Sequence, residues 1–136
     1  MSKKISNTND TESKPDLVIE LHPHDPVQKE MGDFPKVVLD AALVSFSLMA
    51  KRKPPALKIK KLDTIDKNVF QMTIKSSESW RIVFTTEVTG KIVVLHATQK
   101  TTNGVDRQLK NVVENRLKSL RDKLKDKRQA VQKKPK

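Results

Sequence analysis

The 136 residues suffice for one domain with a modest core and are too few for two ordinary ones. Lys and Arg total 28 against 16 Asp and Glu, a net charge of +12, so the chain attracts polyanions: nucleic acid first, an anionic membrane or an acidic protein otherwise. Without cysteine, disulfides and thiolate–zinc sites are excluded, and such a chain suits a reducing cytoplasm. No apolar run approaches the roughly 20 residues of a membrane span, so no membrane association is expected.

Residues 1–15 are rich in Ser, Thr, Asn and Lys, carry no apolar signal region, and read as disordered. Residues 16–22 (DLVIELH) read as a first strand. Asp25-Pro26 suits a helix start, with Asp as N-cap and Pro at the first helical position; Gly32 interrupts it and Asp33 offers a second cap. Phe34, Val37, Val38, Ala41 and Leu48 have helical spacing, and Pro54-Pro55 ends that helix. Residues 56–67 read as a basic connector.

Three strands follow. Phe70, Met72 and Ile74 alternate with Gln71, Thr73 and Lys75, a period of two. Trp80 to Val88 is β-branched and aromatic, and Thr89-Gly90 is a hairpin turn. Ile92 to Ala97 is nearly all apolar, as for a central strand buried on both faces. After the polar stretch from Thr101 to Gly104, Leu109, Val112, Val113, Leu117, Leu120 and Leu124 stripe a helix from about Val105 to about Lys127. The order predicts one α+β domain over residues 16–120. It has a mainly antiparallel sheet, made of an N-terminal strand and a three-stranded meander, packed with an N-terminal helical segment and a C-terminal helix. Residues 121–136 form a basic helical extension or tail.

The positive charge is uneven. Residues 51–75 carry 8 basic and 2 acidic residues, and residues 119–136 carry the same numbers. The terminal block reads equally as a solubilising tail or a functional one. The internal block lies within the folded part and is the more informative.

Little in the sequence suggests a metal or a cofactor, and none is expected. His22 and His24 lack a third ligand, and His96 stands alone in an apolar strand, more in keeping with a core residue than a catalyst. There is no phosphate-cradling glycine loop and no nucleophile elbow. With one Trp, four Phe and no Tyr, base-stacking platforms are scarce. What remains is basic-residue chemistry. RNA is cleaved without metal when the 2′-OH is activated, the phosphorane is stabilised and the leaving 5′-oxygen is protonated. A rigidly held guanidinium suits the second task, because its fork of donors matches phosphate oxygens. Arg81, at the start of a strand between Trp80 and Ile82, is the candidate; its structural alternative is a surface arginine paired with Glu78 or Glu87.

The stretch from Leu62 to Leu120 resembles the RelE/HigB group of bacterial type II toxins, within the RelE/ParE superfamily. The residues that carry the resemblance are VFQMTIK, then SESWRIVFTTE, then GKIVVLHATQKTTNG, then NRLKSL in the last helix. The resemblance implies a small RelE-like fold and a ribosome-dependent mRNA endoribonuclease, neutralised by a cognate antitoxin. Its partners would be mRNA, the ribosome and that antitoxin. It implies that Arg81 stabilises the transition state, that Lys100 and Lys75 are further phosphate contacts, and that Lys58, Lys60 and Lys61 grip ribosomal RNA. The chain departs from the pattern at Gln71 and Thr73, where many relatives carry basic residues, and at Gln99, first of a terminal basic pair. With no Tyr present, the general acid and base are unassigned. A non-catalytic nucleic-acid or partner-binding protein, and a ParE-like gyrase inhibitor, share the same scaffold.

Overall fold

The structure, a computed structural model, describes residues 15–100 and 107–133, with side chains as far as residue 126. The segment before Pro15, the 101–106 connection and the cationic side chains from Lys127 onward lie outside the described residues. The elements are β1 (Val18–Leu21), α1 (His24–Gly32), α2 (Lys36–Ala50), β2 (Lys58–Lys61), β3 (Val69–Lys75), β4 (Ser79–Thr85), β5 (Lys91–Lys100) and α3 (Arg107–Lys133). The expected α+β class holds. The sheet has five strands in the order β1-β5-β4-β3-β2, antiparallel except where β1 runs parallel to β5.

The fifth strand is a correction to the sequence reading. The supposed connector contains β2, which pairs antiparallel with β3 from Lys58↔Thr73 to Lys61↔Phe70. Its four residues include one apolar side chain, Ile59, which packs on the α1/α2 core. Such a short edge strand carries too little hydrophobic alternation to announce itself, and its lysines discourage further strand addition.

The helix starts also differ by a few residues. α1 begins at His24 behind Pro23, so Asp25 sits in the first turn, where a carboxylate complements the helix dipole. Pro26 is tolerated there because first-turn N–H groups lack helical partners anyway. Asp33 closes α1 rather than opening the next helix, and Pro35 is the N-cap of α2. At the far end, Lys53 N–H donates to the Leu48 carbonyl and Arg52 N–H to that of Met49, both 2.9 Å, with Arg52 at φ 64°. This left-handed cap ends α2 before the prolines are reached.

Alternation along the strands divides the core in two. On one face, Val27, Met31, Phe34, Val38, Ala42 and Phe46 of the α1–α2 segment pack on Met72, Ile74, Ile82, Phe84, Ile92, Val94 and Ala97. On the other, Leu109, Val113, Leu117 and Leu120 of α3 cover Leu62, Val69, Val83, Val93 and Leu95. β5 is thus buried on both faces from Ile92 to Leu95, as its apolar run predicts. The hairpin into β5 turns at Gly90, whose φ of 81° favours glycine.

Arg121, counted in the terminal block by sequence, is held on the body of the fold. Its guanidinium donates to Glu87 (2.9 and 2.7 Å) and Asp66 (2.9 Å), tying α3 to two loops. The Arg121 guanidinium in turn holds the Asp66 carboxyl below its usual range. Because the arginine is 46 % exposed, Arg121→Ala is expected to cost only about 1 kcal/mol, and a thermal melt should fall by roughly 4 °C.

Candidate nucleic-acid interface

Strand register, rather than sequence proximity, assembles the predicted site residues. Lys58 pairs with Thr73, Thr73 with Arg81, and Arg81 with Thr98. One row further along, Lys75 pairs with Ser79 and Ser79 with Lys100. One row back, Lys60 pairs with Gln71 and Gln71 with Val83. Directly paired residues share a face, and so do residues two apart on one strand. Arg81, Lys75, Lys100, Lys58 and Lys60 therefore belong to one face, the one α3 partly covers. α3 occupies the part built from Val83, Val93 and Leu95, and the polar rows continue beyond it. Lys58, Lys60 and Lys75 are exposed and Lys100 is half-buried.

Arg81 departs from the surface arginine that sequence offered as the alternative. Its exposure is 0 %, and its Nη1 donates to Gln71 Oε1 at 3.5 Å. Gln71 Nε2 donates in turn to Thr73 Oγ1 at 3.1 Å, which aims the amide oxygen at the guanidinium. Gln71 and Thr73, the positions where the resemblance led one to look for cations, are thus the neutral neighbours of a buried cation. A basic side chain there would repel it. Glu87, a proposed partner of Arg81, is taken by Arg121.

Lys61 faces differently. It pairs with Phe70, on the opposite alternation from Lys60, and its Nζ is 3.9 Å from Asp63. A cleft of about 480 Å³ nevertheless brings Lys60 and Lys61 together with Leu62, Asp63, Thr64 and Lys110. Lys110 comes from the first turns of α3 and was not singled out by sequence. Nothing local marks it, because it meets the β2 lysines only through the fold.

His96 belongs to a different constellation. β1 stops at Leu21 opposite Val94, leaving the next part of the β5 edge without a strand. Glu30 of α1 fills that gap: its Oε1 accepts from Ala97 N–H (3.1 Å) and meets His96 Nδ1 (3.0 Å). Arg116 of α3 donates to both Glu30 oxygens (3.0 and 2.9 Å) and to the Leu95 carbonyl (2.9 Å). Burial alone pushes the Glu30 carboxyl up, but His96, Arg116 and the Ala97 N–H outweigh it and hold the pKa at about 2. An ionised carboxylate only accepts, so Nδ1 of His96 carries the proton between them. The histidine is 13 % exposed and committed to this clasp. His22 meets Ser119 at 3.1 Å and His24 meets Asp25, so the two do not converge on a common ligand position. Among the described residues, no three His, Asp or Glu side chains gather as a metal site.

Residues 29–118 match the family described as Phage derived protein Gp49-like (DUF891). The chain belongs to the Gp49-like family. This is a RelE-like toxin family associated with toxin–antitoxin systems, and membership implies a cognate antitoxin. The match runs from α1 into α3 and takes in all the predicted site residues as well as Glu30 and Arg116 of the clasp. No curated protein matches this Gp49-like chain. None of its described helices is long and apolar enough to cross a membrane.

Proposed function

We propose that this Gp49-like protein is a toxin of the RelE/HigB kind that cleaves mRNA on the ribosome. The supporting observation is the cross-strand register that gathers Arg81, Lys75 and Lys100 on one sheet face with Lys58 and Lys60 beside them. In this reading the ribose 2′-OH attacks the adjacent phosphorus and the bond to the 5′-oxygen breaks. Arg81 stabilises the charge on the phosphorane oxygens, and Lys75 and Lys100, flanking the next row, neutralise the phosphate. Lys58, Lys60 and Lys61 hold the flanking RNA, and Lys110 joins them across the cleft. The chemistry uses no metal or cofactor, and the proton-transferring groups are not assigned to this chain.

A second reading, RNA binding without cleavage, is favoured by one observation: Arg81 has no exposed surface in the free protein and packs beside Gln71. Induction in a bacterium followed by mapping of mRNA 5′ ends separates the two. New ends inside coding sequences are the expected result. Growth inhibition without new ends would give the second reading.

The lysine assignments have their own test. Alanine at Lys60, Lys61 or Lys110 should weaken binding of single-stranded RNA. The slope of log K against log salt should shrink by roughly 0.7 for each phosphate that is no longer neutralised. Unchanged slopes in a salt titration would remove the cleft from the RNA path.

A further inference from the structure

α2 carries more apolar surface than its place in the fold consumes. Its inward residues Val38, Ala42 and Phe46 are buried, yet Val37 is 68 % exposed and Val44 is 56 % exposed. Ala41 and Leu48, half-buried, fall between and beyond them. The sequence Val37, Ala41, Val44, Leu48 steps by four, three and four residues. That spacing keeps one stripe along a helix and is the seam by which two helices interlock. A helix apolar on its outer flank as well as its inner one is incompletely covered by its own chain.

The charges around the seam select the partner. The next position of the same repeat is Lys51, and Lys53 follows it; both are exposed. Lys36 stands at the other end of the helix. The one acidic residue of α2, Asp40, is already bound to Lys36 at 2.9 Å. A second copy of this chain, at net +12, would be repelled.

We infer that the outer flank of α2 docks an acidic amphipathic helix, presented by the partner antitoxin that family membership implies. Its apolar side chains interlock with Val37, Ala41, Val44 and Leu48, and its carboxylates meet Lys51 and Lys53. The seam lies on the α1/α2 side of the sheet, and the candidate RNA face on the α3 side. Docking therefore leaves the sheet face of Arg81, Lys75 and Lys100 clear of the partner. The inference rests on the family reading for the existence of a partner, and not on RNA cleavage.

The test uses the full chain and two synthetic helices of roughly 18 residues, long enough to be helical. Both carry Leu at seam positions; one has Glu elsewhere on its polar face, the other Lys. Nuclear magnetic resonance titration should show the Glu peptide perturbing amides of Val37, Ala41, Val44 and Leu48. It should bind at least about ten-fold more tightly than the Lys peptide. The double variant Val37→Ser/Val44→Ser, at exposed positions, should keep its thermal melt and lose binding by about ten-fold or more. Perturbations confined to the Lys60–Lys61–Lys110 cleft, or to edge strand β1, would overturn the assignment. So would a free chain that sediments as a dimer and becomes monomeric in the double variant, since the seam would then belong to a second copy. RNA cleavage, measured separately, moves independently of each of these outcomes.

Discussion

Arg81→Ala is expected to abolish growth inhibition, with cleavage falling about 10²- to 10³-fold, the usual effect of removing one donor to a developing oxyanion. The side chain is fully buried, so alanine also leaves a cavity and removes the Arg81 donor to Gln71 Oε1. Two companions separate chemistry from folding. Arg81→Lys keeps the charge and much of the volume but loses the planar fork, so it should remain folded and still lose most cleavage. Lys100→Ala, at the half-buried end of β5, should leave the thermal melt unchanged and reduce cleavage. The measurement is mapping of mRNA 5′ ends after induction, with soluble protein and melting temperature recorded for each variant. A fully toxic Arg81→Ala protein would remove Arg81 from the reaction and make it a structural arginine.

The second large effect concerns stability. Glu30→Gln should destabilise the fold by about 3 kcal/mol at neutral pH, because it leaves Arg116 and His96 partly buried without their carboxylate. The pH dependence follows from the depressed pKa. The carboxyl titrates near 4.5 when unfolded and at about 2 when folded. Its contribution is therefore fully present above the unfolded value and is lost as pH falls through the folded one. The difference corresponds to about 3 kcal/mol, since each pKa unit is worth about 1.4 kcal/mol. The Gln variant lacks this contribution. Denaturant melts of the two proteins should therefore differ by a constant amount above about pH 5 and converge towards pH 2. A gap that stays constant down to pH 2 would show that the stabilisation does not depend on the Glu30 charge.

The elements with strong periodicity were legible from the amino acids. The alternation of Phe70, Met72 and Ile74, the apolar run of β5 and the leucine stripe of α3 each satisfy a local rule that the fold leaves intact. β2 was not legible, because Lys58–Lys61 offers one apolar residue and gains its place only by pairing with β3. The helix starts shifted because prolines at the N-terminal ends compete with the aspartates for the same positions. Arg81, Lys75 and Lys100 could be named from a resemblance, but not their common face, which depends on register across three strands. Lys110 and the Glu30 clasp carry no local signal at all; Glu30 lies 66 residues from His96 and 86 from Arg116.

By itself, then, the sequence determined the α+β class, the meander, the two-faced burial of β5 and the excess of positive charge, because periodicity and composition act over a few residues. Only the tertiary structure decided which cations share a sheet face and which are bound to carboxylates. Arg116 and Arg121 pair with acids from distant elements, Arg81 is buried beside Gln71, and Lys58, Lys60, Lys75 and Lys100 are left along one sheet face. A cation's role depends on which acid comes within a few ångströms of it, and that is set by strand pairing and helix packing between residues far apart in the chain.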